Sequence, residues 1–238
     1  MMTMKEKMKG SYLKVNKNFP KLGLLIKRLY KYKRIMNSVT RKVKGKLNLL
    51  EYSQAILNNV AFDIKGNGNI VTINYGAVLN NVNFFIRGDN HKIIIQDNCI
   101  FSRGGSVWFE HEKGLLVIGK NTTMENVHIA VTEPDSKIEI GEDCMFAYDI
   151  DIRTGDSHSI IDSSSGKRIN YAKDVVIGNH VWLAAHCRIL KGAQINDDSV
   201  VGTNSVVTKN FNETGVVLAG CPAEIVKRNI TWNRENII

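Results

Sequence analysis

An imidazole that titrates near neutrality, at about pH 6.5, is matched to taking a proton from a hydroxyl. His158 is the histidine of this chain best placed to do so. It lies in Arg153-Thr154-Gly155-Asp156-Ser157-His158, where a regular repeat gives way to the long polar stretch 156–174. Arg153, Asp156 and Asp162 flank it and are candidates to orient the ring or to bind hydroxyls, with Arg153 able to meet a carboxylate. The plainer readings make these three turn-forming polar residues and His158 a solvated loop histidine. Trp182 sits in an outward slot just before Leu183, and a large indole on a flat strand face needs a partner.

Other chemistries find less support. His180 and His186 are six residues apart and, with His158, invite a zinc reading. Residues six apart in this repeat point from different faces and no third ligand has a place, so no metal is expected. His91 and His111 fall in corner loops and are expected to be solvated, and His128 has no assigned role. Cys99, Cys144 and Cys187 each stand four residues after an aliphatic residue, where a small buried side chain belongs, so they read as free core thiols. No CxxC spacing occurs, and neither a GxxxxGK[ST] nor a GxGxxG phosphate loop is present.

The element that must position these groups is a period of six. Over residues 175–207 an aliphatic residue recurs at Ile177, Leu183, Ile189, Ile195, Val201 and Val207. Four places on come Val181, Cys187, Ala193, Ser199 and Ser205, with turn-tolerant pairs such as Gly178-Asn179 and Thr203-Asn204 between them. No α-helix has this period. Short strands that fold at a corner every six residues do, and three of them close a triangular coil. Upstream, anchor isoleucines at 73, 95, 118, 140 and 177 give steps of 22, 23, 22 and 37, so each coil carries a corner loop and the last step an inserted one, near 156–174.

Charge divides the chain. Residues 1–50 hold 15 Lys/Arg against one acid, which leaves 32 − 15 = 17 basic and 23 − 1 = 22 acidic groups for the rest. The net +9 is therefore a basic arm on an acidic body, and only the arm argues for a polyanionic partner. Residues 22–36 are helix-like, with Pro20 ahead of the first turn. That helix would pack on the body or a neighbouring subunit, or touch anionic lipid or polymer at the inner membrane. No nucleic-acid recognition motif supports the remaining alternative. No secretory signal is convincing, no apolar run is long enough to span a bilayer, and a reducing cytoplasmic compartment fits the thiols.

The hexads, the segments VWLAAHC, SVVTKNF and LAGCPAEIVKR, and the loop between them resemble the hexapeptide-repeat acyltransferases, most specifically over residues 138–232. Within that family the chain looks most like bacterial O-acetyltransferases of capsule, polysialic acid or other surface sugars. The resemblance implies an all-β fold, a left-handed parallel β-helix over residues 56–220, preceded by a basic, partly helical extension (1–55) and closed by a short cap (221–238). It implies a homotrimer with acetyl-coenzyme A held between neighbouring coils. It further implies His158 as general base and Trp182 against the acetyl-pantetheine arm or the acceptor, unless that indole serves subunit packing. Main-chain contacts to the coenzyme fall at Ala185 and Thr203, and cations for its phosphates at Lys209, Lys227 and Arg228, each of which is otherwise a solvated charge.

The expected function is acetyl-coenzyme A-dependent O-acetylation of a bacterial surface polysaccharide or its sugar precursor, without a covalent enzyme intermediate. Two other readings stay open from the residues. One is N-acetylation of an amino sugar nucleotide; the other is a non-catalytic β-helix that binds polysaccharide.

Overall fold

The computed structural model describes residues 38–238, and among them there is no helix. The helical segment expected at residues 22–36 lies outside this range. Twenty-three strands wind into a parallel β-helix with three flat faces. The first face stacks β1 (Val39–Lys44), β4 (Val60–Lys65), β7 (Val82–Arg87), the second halves of β9 (Ile100–Phe109) and β11 (Thr123–Val131), then β14 (Ile150–Arg153), β17 (Arg188–Ile189) and β20 (Val206–Val207). The second face carries β2 (Leu49–Glu51), β5 (Ile70–Ile73), β8 (Lys92–Ile95), β10 (Leu115–Ile118), β12 (Lys137–Ile140), β15 (Val175–Ile177), β18 (Gln194–Ile195) and β21 (Asn210–Phe211). The third holds β3 (Ile56–Asn58), β6 (Val78–Asn80), the first halves of β9 and β11, β13 (Met145–Phe146), β16 (Trp182–Leu183), β19 (Val200–Val201) and β22 (Val217–Gly220).

Alternation within each strand sends every second side chain inward, and in-register stacking joins these into continuous apolar columns. The anchors Ile73, Ile95, Ile118, Ile140 and Ile177 form one such column, extended by Ile195 and Phe211. All are buried. Corners repeat as faithfully. Asn98, Asn121, Asp143, His180 and Asp198 share one corner and a left-handed backbone; Asn59, Asn81, Asp149, His186 and Asn204 share another. Asn and Asp enter that region most readily among residues with a β-carbon, which explains the composition of these ladders.

The coil begins earlier than residue 56. β1 already pairs with β4 over six in-register partners, from Val39↔Val60 to Lys44↔Lys65. Thr40, Lys42 and Lys44 take its outward slots and Arg41 stands over Phe62 on the first described rung, so apolar alternation is hidden there. At the other end β23 (Ala223–Lys227) turns back antiparallel on β22 and closes the sheet. His91 also departs from expectation. It is buried at a corner, its Nε2–H donating to Arg87 O (3.1 Å) and its Nδ1 accepting from Gly114 N (3.0 Å). Each polar atom of the ring is thereby satisfied, which is what makes burial tolerable.

Candidate active site

The chain leaves the first face after Arg153 and rejoins the second at Val175. Thr154 marks the exit: it is fully buried, and its Oγ1 accepts from Thr132 N (2.9 Å) and donates to Thr132 O (3.0 Å). Beyond it the loop doubles back as a small hairpin. Ile169 N donates to Ile160 O (2.9 Å), Asp162 N to Lys167 O (2.8 Å), and Ile161 faces Arg168 in an antiparallel bridge.

His158 is exposed on this loop, and no group among the described residues meets its ring. Its flanking candidates are occupied within the chain. Asp162 Oδ1 accepts four hydrogen bonds from the amides and hydroxyls of Ser164 and Ser165, which hold its pKa at about 2 and make it the cap of the hairpin tip. Arg153 is paired with Asp151 on the first face (Nε–Oδ1 3.2 Å). Asp156 Oδ2 accepts from Asn170 Nδ2 (2.8 Å) and is ion-paired with Lys191. Burial pushes its pKa upward, but the bonds from Lys191 and Asn170 outweigh that and leave it lowered. Asp162 thus holds the hairpin turn, and Asp156 ties the loop to Asn170 and Lys191.

Trp182 projects from the third face. It borders a cleft of about 370 Å³ whose other walls include Ser102, Thr123, Glu125, Met145 and Ala147. The C-terminal segment supplies its partner. Trp232 lies 6.0 Å from the Trp182 ring, stacks on His180 at 4.2 Å and donates Nε1–H to His180 O (2.7 Å). Two residues on, Arg234 bonds Thr123 Oγ1 (2.8 Å), Cys144 O (2.9 Å) and Asp143 Oδ1 (3.0 Å), tying the tail across successive coils. His180 and His186 stand at different corners and pair separately with Asp198 and Asp149. Among the described residues no His/Cys/Asp/Glu group is arranged to hold a metal.

Ala185 and Thr203 occupy one corner, a coil apart, between the third and first faces. Asn204 N donates to Ala185 O (3.1 Å), whereas the N–H groups of Ala185 and Thr203 themselves meet no acceptor among the described residues. Two outward amides stacked at coil spacing suit an extended amide-bearing chain such as pantetheine. The cations are less well assembled. Lys209 is bonded to both oxygens of Glu224 (2.7 and 2.8 Å), and Arg228 to Glu213 (2.7 Å). Because β23 runs back along β22, Lys227 and Arg228 end up at the far edge of the third face from Ala185 and Thr203. Lys227 alone of the three has no ion-pair partner among the described residues.

Within one chain, then, His158 leaves from the corner between the first and second faces, whereas Trp182 and the Ala185–Thr203 corner belong to the third. Sequence reasoning missed Arg168, Asn170, Lys191, Trp232 and Arg234. Partners of each lie well outside its local sequence, up to 113 residues away, for example Asn170 to Asp156 and Arg234 to Asn121, so no local spacing could announce them.

A family described as bacterial transferase hexapeptide (six repeats) matches residues 174–209. A polysialic acid O-acetyltransferase from Neisseria meningitidis is 40% identical over 193 residues, covering 81% of this chain and 88% of that protein. The chain belongs to the hexapeptide-repeat acyltransferases. Two solved members of the family align closely. The polysialic acid O-acetyltransferase OatWY superimposes with a TM-score of 0.75 and 35% identity over 84% of this chain and 92% of its own. The polysialic acid-specific acetyltransferase NeuO gives 0.75 and 30% over 84% of each. An acyltransferase of this family needs an acyl donor.

Proposed function

We propose that this protein is an acetyl-coenzyme A-dependent O-acetyltransferase that modifies a bacterial capsule polysaccharide, a sialic acid polymer first among them. The observation that carries this reading is the 40% identity to a polysialic acid O-acetyltransferase across 88% of that protein. When bound, acetyl-coenzyme A supplies an activated thioester carbonyl. His158 then acts as general base: its imidazole takes the proton of the sugar hydroxyl as the oxygen attacks, and returns it to the departing thiolate. A main-chain N–H or the edge of Trp182 faces the charge that develops on the carbonyl oxygen. Ala185 and Thr203 hold the pantetheine arm through their free amides, and Lys227 is the cation most available to a phosphate.

In this reading the active unit is a homotrimer. A second copy is what would bring one chain's His158 to another's Trp182 and corner amides. Apolar side chains on the loop favour such a neighbour: Ile160, Ile161, Ile169 and Tyr171 are 52–62% exposed. The enzyme would work in the cytoplasm, with the basic residues 1–50 holding it against anionic lipid. No described helix is long and apolar enough to cross a membrane.

The test is acetyl transfer to a panel of sialic acid polymer, neutral polysaccharides and amino sugar nucleotides, followed by release of free coenzyme A. Turnover with the acidic polymer is expected. His158→Ala should abolish it while coenzyme binding, followed by titration calorimetry, persists. Turnover confined to an amino acceptor would move the reading to N-acetylation, and absence of any coenzyme binding would favour a purely binding role.

A further inference from the structure

A general base on a loop works only if the loop holds it still, and the side chain best placed to do this is one that no part of the sequence pattern singles out. Asn170 is 6% exposed, and its amide is fully used. Oδ1 accepts from Ile160 N (2.7 Å) and Arg168 Nε (3.1 Å); Nδ2 donates to Asp156 Oδ2 (2.8 Å) and His158 O (2.7 Å). Two donors and two acceptor lone pairs are all that an amide has. Its partners at 156, 158 and 160 straddle the histidine, so one side chain grips the backbone at and just after it and the carboxylate just before it. The chain is kinked just before, with Ser157 in the left-handed region at φ 64°.

The grip is tied to the rigid coils by two routes. Arg168, which bonds both the side chain and the carbonyl of Asn170, pairs through both terminal nitrogens with Glu133 on the coil below (Nη1–Oε2 3.1 Å). Lys191, on the coil above, pairs with Asp156 and donates to Asn170 O (3.0 Å). We propose that Asn170 is the positioning residue for His158, fixing the backbone from which the imidazole reaches the acceptor hydroxyl. This rests on the reading of His158 as the base. Aspartate cannot take the place of Asn170. It would lose both donors and set a carboxylate against Asp156 and against the His158 carbonyl, whereas an amide is the one group of this size that supplies donors on one side and acceptors on the other.

The test is steady-state kinetics on the full chain with acetyl-coenzyme A and the accepted polymer, alongside thermal unfolding of each variant. Displacing a reacting group by about 1 Å costs on the order of 10²-fold, so Asn170→Ala should lower kcat by about that factor and move either KM less than about threefold. Asn170→Asp should be at least as slow. Exchanging the pair, Asp156→Asn with Asn170→Asp, restores a 156–170 bond and should recover about tenfold over Asn170→Asp alone. That exchange carries the test if the alanine variant fails to fold.

The decisive comparison is His158→Ala with His158→Ala/Asn170→Ala. A residue that acts only through the imidazole costs nothing further once the imidazole is gone. A second loss of similar size in the double variant would overturn the proposal and leave Asn170 a packing or acceptor-binding residue. So would near-wild-type kcat in Asn170→Ala with His158→Ala inactive. Full activity in His158→Ala would instead remove the base itself, and the positioning role with it.

Discussion

The coils before and after the loop are built to different gauges. Before it, one turn of the helix takes 22 or 23 residues: Ala61↔Asn83, Asn83↔Ser106 and Ser106↔His128 mark successive turns. After it, Ile189↔Val207 and Ile177↔Ile195 mark turns of 18. Strands on the first face shorten from six residues in β4 and β7 to two in β17 and β20. Core composition follows the gauge. The fully buried phenylalanines, Phe62, Phe84, Phe101, Phe109 and Phe146, all belong to the wide coils, where Tyr52, Phe62 and Phe84 stack one above another. In the narrow coils the interior is Leu183, Ile189, Ile195, Val201 and Val207, with Cys187, Ala193, Ser199 and Ser205 at the bends. A longer perimeter encloses a wider section, and bulkier side chains are needed to fill it at native density. The seam between the two gauges is where the chain releases its extra length, and the loop that results carries His158.

If the seam serves chemistry and the coils serve stability, the two can be broken separately. His158→Ala is expected to reduce acetyl transfer by about 10²–10⁴-fold, the usual contribution of a positioned base. Thermal unfolding should stay within about 1 °C of the parent, since the residue is exposed and its ring has no hydrogen bond or ion pair among the described residues. A large loss of melting temperature in that variant would mean that the seam is structural after all.

Gauge itself is tested by exchanging side-chain volume between the halves. Phe84→Ala should cost about 3–5 kcal/mol in chemical denaturation, because the stack above and below it cannot collapse into the gap. Leu183→Phe should cost about 1–3 kcal/mol by overpacking a section that has no room for a ring. Equal tolerance of the large residue in both halves would show that the sections do not differ as their cores imply.

Much of this division can be read in the chain before any coordinates. Hexads make the narrow coils legible, and the isoleucine steps of 22 and 23 predict the wide ones and the place of the loop. What could not be read follows from groups whose environment is set by distant strands. β1 hides its membership of the coil because Thr40, Lys42 and Lys44 face outward and Arg41 takes an inward slot on the first described rung. His91 looks like a solvated corner residue until Gly114, one coil on, is seen to present its N–H to Nδ1. Asn170 owes its role to a hairpin crossing, and Trp232 and Arg234 owe theirs to a tail that returns over coils laid down 50 to 110 residues earlier. Position along the repeat was visible; contact between repeats was not.

Acid should distinguish the two gauges as well. Burial lowers the pKa of His91, so the folded wide coils favour its neutral form. Protonation would also place a hydrogen on Nδ1 against the Gly114 N–H it now accepts from. A depressed pKa contributes stability that is complete above the ordinary histidine value of about 6.5 and is lost as pH falls toward the folded one. Glu133 and Asp156 at the seam are also lowered, burial opposing the shift and the bonds from Arg168 and Lys191 prevailing. Their contribution is complete above the ordinary carboxylate values, near 4, and is lost only below them. Hydrogen exchange followed by segment should therefore show the coil around 91 and 114 loosening first as pH is lowered, and the loop at 156–170 only later. His91→Ala should remove the first step at a cost of about 1–3 kcal/mol at neutral pH, the penalty of two stranded polar groups.

The smallest effect concerns the narrow end, where the coenzyme phosphates are proposed to sit. Lys209 is held by both oxygens of Glu224, and both side chains are at least half exposed. An exposed pair of this kind is worth about 0–1 kcal/mol, so Glu224→Gln should scarcely move stability. It would, however, free an ammonium that must otherwise leave a carboxylate before it can meet a phosphate. Coenzyme affinity at low salt is therefore expected to rise a fewfold, by about 2–5-fold, in Glu224→Gln and to return to the parent value as salt screens the charge. Lys227 needs no such release, so Lys227→Ala should weaken binding more than Lys209→Ala does. The reverse order, measured by titration of coenzyme A into each variant, would move the phosphate site to Lys209, at the corner between the first and second faces, and leave β23 as a cap alone.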